Sequence, residues 1–319
     1  VYEALRGLLD LSTKNLPKLI FLDTLSSLFL HDLEEMLENE IHSSDEILIS
    51  LSSKSGATTE VIANFEILMH RIRKFIPDID KRVVVTSDHG SPLWIAAHER
   101  KYGQLAIPKH VGGRYSVFSL VGIFPLLLAG IDVVEFQKGA QFLINQNFGS
   151  NLDDQFARHD AEMIFGAMQK GASILNIFHF HPELESLGKW ERQLVAESLG
   201  KERSKSGHIV HSGITPIVSI GSTDLHSMAQ LYFGGPRDKF TMLIKATTPS
   251  SIRVPKQLHL GDIIPGIGER SPDDIMNAIY GGVAGAYRNL ELPFAEVTLP
   301  SISPYALGMY MQWRMLTTI

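Results

Sequence analysis

At 319 residues the chain is longer than one hydrophobic core usually serves, so one large or two medium domains are expected. Its formal net charge of -6 argues against a nucleic-acid-binding protein, which normally carries a basic excess or a basic face. There is no cysteine, which excludes disulfides, thiol nucleophiles and cysteine-based metal sites and agrees with a cytoplasmic location.

Strands and helices are predicted to alternate along the first part of the chain. In order they are a strand at 47–51, a helix at 58–75, a strand at 82–86 and a helix from Leu93. The most apolar stretch, 117–131, is too short for a membrane span and is interrupted by Pro125. We expect it to be a buried core helix, and we expect no membrane partner.

The alternation returns after a polar stretch at 146–154, which is predicted to link two domains. The predicted strands are 173–180, 216–220, 240–246 and 294–299, and the predicted helices are 184–202, 224–233, 272–290 and one from Pro304. Short, nearly continuous apolar strands between helices are typical of parallel sheets covered on both faces. We therefore expect an α/β protein with domains at 1–145 and 146–319 and ligands beyond the carboxyl ends of the strands.

Both ends of the sequence have the pattern of a helix interior. Apolar residues follow helical spacing from Val1 through Leu5, Leu8 and Leu9, with no N-cap before them. The helix predicted from Pro304 has no terminating glycine, asparagine or proline before the last residue. We expect a chain cut short at both ends, the alternative being a chain with frayed termini.

The loop after the first predicted strand is rich in hydroxyl groups. Ser53, Ser55 and Thr58 lie between this strand and a helix, with Lys54 and Gly56 among them. Free N–H groups and the positive end of the helix dipole favour an anion there, and hydroxyl donors suit a phosphate monoester. The spacing of a P-loop is absent. The alternative is a capping cluster that satisfies the N–H groups of the helix.

The segment V-G-G-R-Y-S at 111–116 combines backbone freedom with positive charge. Gly112 and Gly113 permit close approach of the backbone to a ligand, and Arg114 offers a fork of donors for negative charge. The alternative is a simple turn followed by a surface arginine.

Gln193 and Glu197 are four residues apart and therefore share one face of a predicted helix. If Glu197 were partly buried, desolvation would raise its pKa toward the range of a general base. The alternative is a surface carboxylate paired with Lys201, which is again four residues away.

His226 lies in the first turn of a predicted helix that follows a strand, where α/β folds present ligands. Histidine is suited to proton transfer near neutral pH, and the alternative is an ordinary core or interface histidine. Other histidines lack a carboxylate partner at a convincing spacing, so no metal site is expected from His179, His181, His208 and His211.

The order of these segments resembles the bacterial branch of the glucose-6-phosphate isomerase family. The matching segments are S-K-S-G-A-T-T-E, V-G-G-R-Y-S-V-F-S, Q-x-x-x-E-S-L-G-K and G-S-T-D-L-H-S. The resemblance covers nearly the whole chain and implies two sugar-isomerase (SIS-type) domains, each a parallel sheet flanked by helices. It also implies an aldose–ketose isomerase that interconverts glucose 6-phosphate and fructose 6-phosphate in glycolysis and gluconeogenesis.

The resemblance assigns roles by position. Phosphate-binding and substrate-contacting positions are implied for Ser53, Lys54, Ser55, Thr58, Gly113 and Gln193. Arg114 matches the arginine that steadies the enediolate, and Glu197 matches the base that moves a proton between C2 and C1. His226 matches the histidine that helps open the sugar ring and is supplied across a homodimer interface. No metal or redox cofactor is implied.

Two family segments have no match in this sequence. The glycine-serine phosphate loop G-I-G-G-S would precede the first residue, and a late lysine in a phenylalanine-aspartate-glutamine segment would follow the last. Three alternatives remain open at this point: a non-catalytic sugar-phosphate sensor, a dual phosphoglucose/phosphomannose isomerase, and one arm of a transaldolase–isomerase fusion.

Overall fold

We describe the protein from a computed structural model that covers residues 1–7, 16–149, 155–261 and 263–319. Within these ranges the helices are α1 (Tyr2–Arg6), α2 (Ser27–Glu40), α3 (Thr59–Ile72), α4 (Pro92–Glu99), α5 (Leu120–Leu128), α6 (Val133–Asn147), α7 (Phe156–Gln169), α8 (Glu185–Leu199), α9 (Thr223–Ser227), α10 (Ala229–Gly234), α11 (Pro272–Asn289) and α12 (Pro304–Thr317). The strands are β1 (Ile49–Ser53), β2 (Val83–Asp88), β3 (Gly103–Ile107), β4 (Ile174–His179), β5 (Lys201–Arg203), β6 (Ile209–Ser212), β7 (Thr215–Ile220), β8 (Lys239–Ala246) and β9 (Phe294–Leu299).

The chain divides into two compact units, which are described separately. The small unit is Asn15–Ile131, and the large unit combines Val1–Lys14 with Asp132–Ile319. This division differs from the predicted domains 1–145 and 146–319, because α6 belongs with the large unit. The assignment of each unit to the SIS type stays a prediction.

Close packing of α6 on α12 explains where the division falls. A Cβ added to Gly139 of α6 would overlap the main-chain oxygen of Tyr305, and one added to Gly308 of α12 would overlap that of Phe136. The two helices therefore touch backbone to backbone, an approach that only glycine permits. Such long-range packing leaves no local signal at the boundary.

The small unit contains a three-stranded parallel sheet in the order β1-β2-β3. Its middle strand begins with three valines, and Val83 and Val85 are buried in one apolar cluster with residues of α2 and α3. Because the strands are parallel, their carboxyl ends meet at one edge. The loop that follows β1 at Ser53 lies at this edge.

The large unit contains a four-stranded parallel sheet in the order β7-β4-β8-β9. Its two central strands are nearly continuous apolar runs and completely bury Leu175, Ile177, Met242 and Leu243, as expected for a covered parallel sheet. Strands β5 and β6 pair separately as an exposed antiparallel hairpin. The parallel sheets with their flanking helices confirm the predicted α/β class.

The apolar stretch 117–131 differs from its prediction. Only 120–128 is α-helical, preceded by a 3-10 helix at Gly113–Phe118, and Leu120 and Leu127 are 41% and 57% exposed. The expectation of a buried core helix is therefore wrong. Because α5 is apolar on every side, packing one side within the chain leaves leucines on the other sides uncovered.

Other differences concern where elements end. The helix predicted at 184–202 ends at Leu199, and the one predicted at 224–233 is broken between α9 and α10. Helices α2, α6 and α7 and strands β3, β5 and β6 were not predicted. The predicted linker overlaps the end of α6, and its residues 150–154 lie outside the described ranges, as do Leu8 and Leu9.

Among the described residues, no helix has the length and apolar character that crossing a membrane requires.

Candidate active site

The hydroxyl-rich loop joins β1 to α3 and is closed by hydrogen bonds between its own residues. The Ser53 hydroxyl lies 2.7 Å from the hydroxyl oxygen of Thr58 and accepts the Gly56 N–H at 3.1 Å. The Ser55 hydroxyl accepts the Ala57 N–H at 3.3 Å. Ser53 is buried, so its side chain shapes the loop from the inside.

The alternative that this loop is a capping cluster is not what the geometry shows. Thr58 occupies the N-cap position of α3 but makes no side-chain capping hydrogen bond, because its hydroxyl faces Ser53. The first N–H groups of a helix have no partner within the helix itself. The amino end of α3 therefore keeps donors and a positive dipole end for an anion.

Two serines, one at the end of β2 and one in the loop that follows it, support the hydroxyl-rich loop. The Ser87 hydroxyl donates to the main-chain oxygen of Ser53 at 2.6 Å and lies 2.7 Å from the hydroxyl of Ser91. Gly56 has a φ of +69°, and a Cβ there would lie 2.6 Å from the Ser91 hydroxyl oxygen. Glycine is thus required both by the backbone conformation and by the space.

Ser91 was not singled out from the sequence, although a local signal was present. It precedes Pro92, the first residue of α4, and its hydroxyl accepts the Trp94 N–H at 3.1 Å. Serine followed by proline is a typical helix start, so capping was predictable. Its contact with the loop after β1 depends on how the strands pair, so this contact was not predictable from the sequence.

Lys54 contacts protein backbone in this structure. Its ammonium group donates to the carbonyl oxygens of Val111, at 2.6 Å, and Lys109, at 3.3 Å. These carbonyls immediately precede the Gly113–Phe118 helix, which carries Arg114. The half-buried Arg114 guanidinium lies 5.1 Å from the centre of the Tyr115 ring. The predicted residues of the small unit therefore lie on two loops joined by one side chain.

In the large unit, α8 presents Gln193 and Glu197 on an exposed face. The Gln193 amide donates to the Glu197 carboxylate at 2.9 Å, and the Lys201 ammonium donates to the main-chain oxygen of Glu197 at 3.0 Å. The surface-pair alternative required Lys201 to contact the Glu197 carboxylate. In the structure Lys201 instead contacts the backbone at the end of α8. Glu197 is exposed in this structure, whereas the general-base prediction was made for a partly buried carboxylate.

The opposite face of α8 holds a buried carboxylate, Glu191. The Arg314 Nε donates to it at 2.6 Å, and the Tyr310 hydroxyl donates to its other oxygen. Arg314 also pairs with Asp160 on α7, whose carboxylate accepts the Thr317 hydroxyl at 2.9 Å. We call these five residues the buried ion cluster. It joins α7, α8 and α12, and burial raises the pKa of Glu191 against the opposing effect of Arg314.

His226 lies on α9, just beyond the carboxyl end of β7, and is exposed. Its helix is fastened to the strand by Asp224, which accepts the Ile220 N–H at 2.7 Å and the Ser227 hydroxyl at 2.8 Å. The backbone that carries the histidine is therefore held by hydrogen bonds to Asp224, while the imidazole is exposed to solvent. Within the described ranges, no group of three or more side chains is arranged to hold a metal ion.

The comparisons with known proteins place these features in a family. A model of the family "Phosphoglucose isomerase" matches residues 11–256, which include every site position predicted from the sequence. The chain belongs to the phosphoglucose isomerase family. This confirms the resemblance found in the sequence.

Curated relatives are longer than this chain. The glucose-6-phosphate isomerase of Pediococcus pentosaceus is 29% identical over 92% of this chain and 63% of its own length. That of Exiguobacterium sibiricum is 30% identical over 96% of this chain and 66% of its own length. Among solved structures, a hypothetical protein from Thermus thermophilus matches with a TM-score of 0.88 at 26% identity, covering 99% of this chain and 73% of that one. The chain thus spans slightly less than two thirds of these curated relatives.

Proposed function

We propose that the protein containing this chain is a glucose-6-phosphate isomerase, which interconverts glucose 6-phosphate and fructose 6-phosphate in glycolysis and gluconeogenesis. The observation that carries the proposal is the family match across residues 11–256. The proposed base, arginine and histidine, which are Glu197, Arg114 and His226, all lie within the matched range. A non-catalytic sensor would need the phosphate loop alone.

The phosphate group of the sugar binds at the amino end of α3. Ser55 and Thr58 are exposed there, and the amino end of α3 has no side-chain cap. Hydroxyl and N–H donors are therefore both available to the phosphate oxygens. A dianionic phosphate gains from such donors and from the helix dipole. Binding the phosphate fixes one end of the substrate, which leaves C1 and C2 free for the chemistry.

The isomerisation proceeds by proton transfer through an enediolate. Once the ring is open, the Glu197 carboxylate removes the proton from C2, the C2–H electron pair forms the C1=C2 double bond, and the carbonyl π pair moves onto the oxygen at C1. Arg114 stabilises the negative charge that develops on this oxygen. The proton then returns to C1, and the C2 hydroxyl proton is transferred to the oxygen at C1, so that the C1=C2 bond is lost, the carbonyl forms at C2 and the product is the ketose. His226 assists ring opening, and Gln193 orients the substrate and the carboxylate.

Glu197 and His226 are both exposed in the single chain, which supports a homodimer in which a partner surface covers the site. Covering Glu197 would exclude water from its carboxylate, and such a site favours proton transfer by a positioned general base. His226 is then supplied across the interface, as the family resemblance implies. A cytoplasmic location remains part of this proposal.

The test is a coupled assay of isomerisation with the full-length protein and its Glu197→Gln variant. Glutamine keeps the shape but cannot accept the C2 proton, so we expect a rate lower by roughly two to four orders of magnitude. The matched control is Glu202→Gln, an exposed carboxylate on β5. Fructose 6-phosphate binding without turnover in the unaltered protein would contradict the proposal, and so would an unaffected Glu197→Gln variant.

A further inference from the structure

Lys54 lies in the hydroxyl-rich loop, but its ammonium group is directed at main-chain carbonyls of a different loop. The carbonyl of Val111 accepts at 2.6 Å and that of Lys109 at 3.3 Å. Val111 is 57 residues away in sequence, and both carbonyls lie between β3 and the helix that begins at Gly113. One side chain thereby ties the loop after β1 to the loop after β3.

The backbone that receives these bonds is folded into consecutive turns that lead to Arg114. The N–H of Val111 donates to the Pro108 oxygen at 2.9 Å, and the N–H of Tyr115 donates to the Gly112 oxygen at 3.0 Å. Arg114 lies inside the second turn. Because the turns follow one another without a free linker, a shift at Val111 changes the position of the arginine.

The main chain of Lys54 is held as well. Its carbonyl oxygen accepts the Asp88 N–H at 3.3 Å, which connects the loop to the end of β2. This residue therefore joins the carboxyl ends of all three strands of the small unit. Few positions in a loop are fixed from so many sides.

The chemistry of the ammonium group separates two roles. It has three N–H donors and no acceptor, and the two carbonyls occupy two of these donors. One N–H of the ammonium group is left for an anion, and a lysine binds phosphate as a point charge rather than through a fixed fork of donors. Here the hydroxyls of the loop and the amino end of α3 can bind phosphate without it.

We propose that Lys54 is a positioning residue, whose ammonium clamps the segment 109–111 against the hydroxyl-rich loop and thereby sets Arg114 at the correct distance from the bound phosphate. This inference rests on the proposed function, because it concerns the same reaction. It gives Lys54 a role different from the direct phosphate contact that the family resemblance implies.

The first test measures hydrogen–deuterium exchange and needs no enzymatic activity. In the full-length protein, Lys54→Met removes the donors but keeps an apolar stem of similar length. We expect faster exchange of the amides at 109–116 than in the unaltered protein. The matched control is Lys74→Met, an exposed lysine beyond the other end of α3, which removes the same charge from the same unit and should leave these amides unchanged.

The second test separates kcat from KM in the isomerisation assay, with inorganic phosphate as a competitive inhibitor. Displacing Arg114 impairs the transition state, so Lys54→Met should lower kcat by about tenfold to a hundredfold. Lys74→Met should retain both constants. If Lys54→Met does not fold, Lys54→Gln, whose amide is uncharged and one atom shorter, replaces it in both tests.

The outcomes distinguish this inference from the proposed function. Faster exchange at 109–116 together with a lower kcat supports the clamp. An unchanged exchange pattern, or unchanged kcat with weaker binding of substrate and inorganic phosphate, overturns it in favour of direct phosphate contact. If the unaltered protein does not isomerise the sugar, the proposed function fails, while the exchange experiment still accepts or rejects the clamp.

Discussion

The small and large units differ in how they hold the residues proposed for catalysis. In the small unit, the hydroxyl-rich loop is fixed by hydrogen bonds among its own side chains and backbone, with Ser53 buried and the Lys54 ammonium bonded to the main chain of Val111. In the large unit, Glu197 and His226 are exposed. The helices that carry them are held by other residues, α8 through Glu191 and α9 through Asp224. The loop proposed to bind phosphate is therefore held in place within one chain, whereas the groups proposed for proton transfer are exposed in it.

The largest expected effect comes from the buried ion cluster beneath α8. Arg314→Met leaves the carboxylates of Asp160 and Glu191 buried without their cation, which should destabilise the large unit by about 3–5 kcal/mol. Urea denaturation measures the loss. The matched control is Arg158→Met on α7, which breaks an exposed ion pair with Glu162 and should change stability little. Equal effects of the two substitutions would show that the cluster does not anchor α8.

A pH-dependent effect should follow from His179, which lies at the end of β4 and is completely buried. Burial, with a smaller effect of His181 and Arg314, lowers its pKa from 6.5 to about 3, so the folded protein holds the neutral imidazole. Below pH 6.5 the unfolded state takes up a proton that the folded state does not. The contribution of His179 to the free energy of unfolding is therefore fully present above pH 6.5 and decreases as the pH falls toward 3.

The slope is measurable as a difference between variants. Each pH unit within this window should cost about 1.4 kcal/mol for one proton. The free energy of unfolding of the unaltered protein minus that of His179→Leu, measured by urea denaturation from pH 7 to pH 4, removes the contribution of other groups. A difference that does not vary with pH would mean that His179 is protonated or exposed in the folded protein.

The smallest expected effect concerns the preorganised loop of the small unit. Gly56→Ala places a methyl group against Ser91 at a positive φ and should cost about 1–3 kcal/mol while weakening binding of inorganic phosphate. Gly90→Ala is the matched control, because its φ is also positive, +82°, but a Cβ there meets nothing within 4 Å. Titration calorimetry and thermal unfolding would compare them. If both variants bind phosphate equally, the contact with Ser91 does not shape the site.

The sequence predicted the elements whose signals are local. Strands β2, β4, β8 and β9 are short apolar runs, and α3 and α11 have clear apolar faces with recognisable starts. The division between the units was misplaced because backbone contact at Gly139 and Gly308 joins segments far apart in sequence. Helices α2, α6 and α7 were not predicted for a related reason, since the element that each helix packs against decides which of its apolar residues form a buried face.

The candidate site was predictable as a set of residues but not as a set of contacts. Glu191 and Glu197 are carboxylates of the same helix, yet one is buried and the other exposed. Spacing could have separated them, because Glu191 falls in the apolar stripe formed by Leu187, Leu194 and Val195. The bonds from Lys54 to the main chain of a distant loop have no such signal, since carbonyl groups are the same at every residue.

We propose that the full-length protein isomerises its sugar phosphate by proton transfer through Glu197. The most direct measurement is isomerisation in deuterium oxide, with the label located by NMR. We expect deuterium at C1 of fructose 6-phosphate formed from glucose 6-phosphate, with Glu202→Gln matching the unaltered protein and Glu197→Gln strongly impaired. Interconversion without any incorporation of solvent deuterium, or incorporation undiminished in Glu197→Gln, would contradict it.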